Sequence, residues 1–263
     1  MKRKTLIAFA AALFAFFLVP VLGAGTASAS LTAKANHDHI TIDFFYNGSE
    51  VSVRGISDPG VELVVKLASA DGHQVLKEKG KVGGFLWMNV GSLKLEDVPN
   101  LYYLQSTKKP EEILPQAEMD KYCIGYSALC NHVVMSPVKD PADKAKWFGE
   151  FISFKETNNM YFNTAGGFKM EDAKDGARPY YMKFKWPYQA PPGDYVATVY
   201  AVKDGKVIEQ ATSKVQVEQV GTVKMLAGMA KNNGALYGII SILSALGAGF
   251  GVGLVFGKGG GAH

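Results

Sequence analysis

Two cysteines and five histidines are all that the 263 residues hold. Such a chain cannot build a disulfide-dense scaffold or a cysteine-rich metal cluster. There is no Gly-x-Ser-x-Gly elbow for a catalytic serine. No glycine-rich phosphate loop follows a strand-like segment, and nothing suggests βαβ units. Charge of one sign is also scarce. The formal net charge is +4, and Lys2, Arg3 and Lys4 supply three of those charges, which leaves +1 for the remainder. No dense Lys/Arg cluster with interleaved aromatics occurs, so a nucleic-acid surface is not expected.

What is present falls into zones. Met1-Lys-Arg-Lys4 is a compact positive segment, and Leu6 to Leu22 is apolar apart from Pro20. Thr26-Ala-Ser-Ala29 then places Ala27 and Ala29 at the spacing a signal peptidase reads. The three parts predict a secretory leader over 1–29, with the rest of the chain exported. The alternative is an uncleaved anchor, since the apolar run is long enough to cross a membrane.

A second uncharged run spans Gly234 to Phe256. As a helix, 23 residues rise about 34 Å, enough for the hydrocarbon core. Its glycines would weaken a soluble helix but are tolerated in lipid, where backbone hydrogen bonds close internally. Ser241, Ala245, Gly249, Gly253 and Gly257 recur every fourth residue and share one face. Such a smooth stripe lets a second helix approach closely, whether another protein or a second copy. The plainer reading is that glycine is common in membrane helices. Residues 257–263 would form a short cytoplasmic tail. The flanking lysines do not favour this orientation by themselves, and it rests on the leader.

Between these runs, residues 30–222 read as a strand-rich exported domain, joined to the anchor by a linker over 223–233. Asn47-Gly48 predicts a hairpin between Ile40–Tyr46 and Glu50–Arg54. Asn47-Gly-Ser49 is also a formal glycosylation sequon. Asp71-Gly72 predicts a turn that pairs Val61–Leu67 with His73–Lys79. Further strands are expected at Phe85–Val90, Leu101–Gln105 and Tyr180–Trp186. Asp204-Gly205 joins a final hairpin, Asp194–Val202 with Val207–Val217. Hairpins at this spacing predict a mainly β fold, an immunoglobulin-like β-sandwich. A largely helical insertion is expected at 108–175. Pro110-Glu-Glu-Ile and Asp140-Pro141 are helix starts, and Gln116–Leu129 reads as helical. Trp147, Phe148, Phe151, Ile152 and Lys155 fall on one helical face. That face either covers the open side of the sandwich or forms a partner surface through Trp147, Phe148 and Phe151.

Candidate chemistry is thin. Two cysteines in an exported chain invite a disulfide between Cys123 and Cys130. In one continuous helix their Cα atoms would lie about 10.5 Å apart, too far for a bond. The bond therefore needs a break near Gly125 or Tyr126-Ser127; free thiols are the alternative. Cys130-Asn-His132 lacks the Cys-x-x-Cys-His spacing of haem attachment, and zinc would need a fourth ligand. His37 and His39 point the same way in an extended chain, with Asp38 opposite, and no further ligand is assignable. No metal, cofactor or catalytic residue is expected.

The early stretch Phe44-Phe-Tyr-Asn-Gly-Ser-Glu-Val-Ser-Val-Arg-Gly55, the late stretch Pro192-Gly-Asp-Tyr-Val-Ala-Thr-Val-Tyr200 and the anchor carry a resemblance. Together they resemble a bacterial family of uncharacterised transmembrane proteins first described from alphaproteobacteria. The resemblance implies a leader, an exported β-rich domain and one C-terminal membrane helix, set in the inner membrane with the domain in the periplasm. It transfers no catalytic residue. The expected function is an accessory or assembly subunit without catalysis, whose partners are the bilayer and a membrane or periplasmic protein. The alternative is a tethered module that binds or senses a small ligand or metal through His37, His39, Tyr122 or Trp147.

Overall fold

The computed structural model describes residues 30–256. The leader expected over 1–29 and the tail expected over 257–263 lie outside the described residues, as does Gly257 of the stripe.

Among the described residues, thirteen strands form three sheets. Four of them, β1 (Lys34–Ala35), β3 (Ser49–Ser57), β11 (Arg178–Trp186) and β10 (Lys169–Met170), pair in that order. A six-stranded sheet runs β2 (His39–Ile42), β13 (Lys206–Gln219), β12 (Gly193–Lys203), β4 (Glu62–Ser69), β7 (Tyr102–Ser106) and β9 (Tyr161–Ala165). The third sheet is β5 (Asp71–Val82), β6 (Leu86–Pro99) and β8 (Val134–Ser136).

Period-2 alternation sets the core. Tyr180, Met182, Phe184 and Trp186 of β11 are buried, and so are Tyr195, Ala197, Val199 and Ala201 of β12. Rings from these two sheets meet: Phe184 lies 5.8 Å from Tyr103, and Trp186 lies edge-on to Tyr195 at 4.7 Å. The opposite face of the six-stranded sheet is covered by the insertion. There Tyr102 meets Tyr126 at 6.2 Å, and Tyr200 meets Tyr122 at 5.4 Å. Covered on both faces, β7 buries all five residues, which is why Tyr102-Tyr-Leu-Gln-Ser106 shows no alternation.

The insertion comprises α1 (Pro110–Ile113), α2 (Gln116–Tyr122), α3 (Gly125–His132) and α4 (Pro141–Thr157), with β8 to β10 interspersed. Asp140 caps α4, accepting the Ala142 N–H at 2.7 Å, with Pro141 in the first turn. The helix expected over Gln116–Leu129 is two helices. Cys123 takes φ 53°, Gly125 takes φ 88°, and extended Ile124 is buried between them. Tyr102 holds the break: its hydroxyl donates to the Cys123 carbonyl at 2.9 Å and accepts the Gly125 N–H at 2.8 Å.

Two expected hairpins are corrected. Asn47-Gly48 does not pair β2 with β3. Asp43 stops β2 by accepting the Phe45 N–H at 2.9 Å. β2 then lies parallel to β13, and β3 pairs with β1 and β11 in the other sheet. Likewise Asp71-Gly72 is not a turn. Both edges of β4 are taken, by β12 and β7, so the chain runs on. β4 continues into β5, and β6 returns into β7. The register carries through, from Ala68 opposite Tyr102 to Asp71 opposite Pro99. The final hairpin forms as expected, β12 pairing with β13 across Asp204-Gly205.

Past β13, the expected linker is helical, α5 (Gly221–Asn232), followed by α6 (Gly234–Phe256). α6 is the one helix among the described residues long and apolar enough to cross a membrane.

Candidate functional site

All 23 residues of α6 are uncharged. No residue of Gly234–Leu254 is buried against the other described residues, so its apolar surface needs another medium. Ala245, Gly249 and Gly253, with Leu246, Phe250 and Leu254, line a shallow groove of about 440 Å³. A methyl group added at Gly249 or Gly253 would meet no atom of the described residues within 4 Å. Ser241 shares the stripe, but its hydroxyl already donates to the Tyr237 carbonyl at 2.8 Å. It offers bulk-free surface rather than a free donor.

A second concavity lies where the β5–β6 ribbon passes α4. Its lining includes Leu76, Glu78, Leu93, Val138, Trp147 and Phe154, and its volume is about 500 Å³. Trp147 is therefore available to a ligand or partner. Phe148 and Phe151 are not: both are buried, and Phe151 packs edge-on to Tyr161 at 5.5 Å. The partner surface expected from these three aromatics reduces to Trp147. Residues 148, 151, 152 and 155 turn inward to cover β9 and the β6–β7 turn, whereas 147, 150 and 154 line the groove.

Beneath α2–α4 lies a layer of polar groups at the core. The Lys155 ammonium is buried, donates to the Asn100 carbonyl at 3.1 Å, and sits over the Phe151 and Tyr161 rings at 5.6 and 5.4 Å. Burial pulls its pKa down to about 8. Lys66 donates to the Tyr122 carbonyl, and burial lowers it as well. Burial raises the Tyr102, Tyr126 and Tyr161 hydroxyls far above their ordinary range. These groups tie helices to strands, and none of them lines the groove. Sequence reading placed Lys155 on the right face but missed its burial, because a lysine on an aromatic stripe ordinarily snorkels outward.

The disulfide expected between Cys123 and Cys130 is not formed, and both thiols are free and half-buried. The helix break it required exists, but each sulfur has its own neighbourhood. Burial raises both thiols; Lys66 opposes this at Cys123 and Lys144 opposes it at Cys130. The histidines are dispersed. His39 lies 2.9 Å from Glu218 and His132 lies 3.0 Å from Asp71, both at the surface. Among the described residues no three metal-ligating side chains cluster.

No curated protein matches this sequence. A solved family 123 glycoside hydrolase from Clostridium perfringens is similar at 9% identity and a TM-score of 0.24, over 73% of this chain and 28% of that one. This chain thus spans under a third of that enzyme's length. The β-rich domain and the whole of α6 fall together in one match, over residues 30–258. A match over most of the sequence places the chain in the family described as "Putative transmembrane protein" (Alph_Pro_TM).

Proposed function

We propose that this chain is a membrane-anchored accessory or assembly subunit that binds a membrane or periplasmic protein and performs no catalysis. The observation that carries the reading is α6, which is not buried by any other described part of the chain and whose small-residue face is open along Ala245, Gly249 and Gly253. In lipid, helix association draws on close van der Waals approach, and glycine permits it. The leader and the anchor support an inner-membrane setting with the domain in the periplasm. The two facing sheets support an immunoglobulin-like sandwich, with the helical insertion over one face.

Purification in several mild detergents, followed by mass spectrometry, tests the proposal. A stoichiometric membrane-protein partner or a self-associated species is expected, and Gly249→Leu should abolish it while the exported domain stays folded. Recovery of monomer alone from every detergent refutes the reading. One observation favours a tethered ligand-binding or sensing module instead, the groove of about 500 Å³ beside Trp147. A thermal-shift screen of small ligands and metals that moves wild type but not Trp147→Ala would support that reading.

A further inference from the structure

The domain has two chemically different ends. At one end the turns are polar: Asp58-Pro59-Gly60 between β3 and β4, and Asp204-Gly205 between β12 and β13. Lys108 pairs there with Glu62 at 2.7 Å. Strand pairing defines the other end. β13 leaves the sheet at Gln219, opposite the last residue of β2, Ile42, and the Val220 N–H still bonds the Ile42 carbonyl at 3.0 Å. Tyr195 near the start of β12 lies opposite Ser69 at the end of β4. The Trp186 ring, at the end of β11, packs on Tyr195. The β2–β3 loop, the β11–β12 loop and the β5–β6 ribbon therefore all leave from the end where the chain departs for α5 and α6.

Each of these three segments exposes large apolar side chains. Phe44 and Phe45 in the first loop are 71% and 82% exposed, and Tyr188 in the second is 71% exposed. At the ribbon tip Phe85 is 82% and Trp87 64% exposed. Gly83 and Gly84, both at positive φ, make the turn there. The ribbon is two-faced. Val82 lies opposite Leu86 and Gly80 opposite Met88, which puts Val82, Leu86 and Met88 on one face. Lys79 lies opposite Asn89 and Lys81 opposite Trp87 on the other, with the Lys81 ammonium 5.3 Å from the Trp87 ring centre.

We infer that this end seats on the bilayer that α6 crosses, with Phe44, Phe45, Tyr188 and both faces of the ribbon tip, Phe85 and Trp87 included, entering the headgroup region. Continuity with the anchor selects the occupant. The 12 residues of α5 span about 18 Å as a helix, so this end is held near the membrane by its own chain. Aromatic side chains favour that interface, and the lysines on the ribbon's second face match anionic headgroups. The polar far end would then face away from the lipid.

The full chain in nanodiscs tests this without any partner, so its failure leaves the proposed partner reading untouched. The probe is phosphatidylcholine carrying bromine high on the acyl chain, which quenches tryptophan on contact. Trp186 is buried, which leaves Trp87 and Trp147 as accessible emitters. The Trp87 emission, taken as wild type minus Trp87→Phe, should be mostly lost in brominated discs. Phe45→Trp in the Trp87→Phe background should restore a quenched component. If either position is unquenched, the seat is overturned. Blue-shifted but unquenched emission would mean that protein, a second copy included, covers the surface, and would overturn it as well.

Discussion

Replacing Lys155 by methionine removes a buried ammonium while keeping most of the side chain's volume. In the folded protein this lysine holds its proton only up to about pH 8, against an ordinary value of 10.5. The unfolded chain therefore binds more protons across that window, and stability rises with pH through it. At pH 7 the folded lysine is charged and carries nearly the whole cost, about 3 kcal/mol for a lowering of this size. Between pH 7 and pH 9.5 the wild type should regain about 2 kcal/mol of it, and Lys155→Met none. The Asn100 carbonyl and the Phe151 and Tyr161 rings moderate the cost but do not cancel it. Buried tyrosines stay neutral over this range in both proteins, so comparing the variant with wild type isolates the lysine. Urea unfolding of the full chain in detergent, followed by tryptophan emission at both pH values, provides the measurement. Parallel pH dependence in the two proteins would refute the argument.

Asp140→Ala should cost about 1 kcal/mol in the same assay, through the lost cap of α4, while Pro141 still starts the helix. Protein prepared without reductant should titrate two thiols once denatured. In the native state Cys123 and Cys130 should react slowly at pH 7 and faster as pH rises, because burial raises both. An intact mass showing a bonded pair would contradict the free thiols.

Local features were legible because they depend on a few adjacent residues. Asp204-Gly205 turns wherever the strands beside it lie, and Asp140-Pro141 starts a helix by satisfying its own backbone donors. Pairing partners were less legible. Asn47-Gly48 is a hairpin signal, yet β13 and β11 take the strands on either side of it. Asp71-Gly72 has turn composition, but β4 has no free edge for a returning strand. Trp147, Phe148 and Phe151 are close in type and spacing, and only packing against β9 separates the exposed ring from the buried ones. The ribbon tip did leave a trace, since Phe85-Leu-Trp-Met88 is an unalternating apolar run beside Gly83-Gly84. Strand composition masked it.

The membrane span follows from composition alone. An uncharged run of 23 residues must leave water in any arrangement, and its every-fourth-residue stripe is a property of helical geometry. Which end of the β-rich domain lies beside that span is a different kind of fact. It depends on β2 lying parallel to β13, on β4 running on into β5, and on the side chains those pairings bury. These contacts join residues up to about 180 positions apart, His39 with Gln216 among them, and no local pattern encodes them. Strand partners are chosen by competition among buried faces across the whole domain. Only the folded chain brings Phe45, Tyr188 and Trp87 to the end from which the anchor leaves.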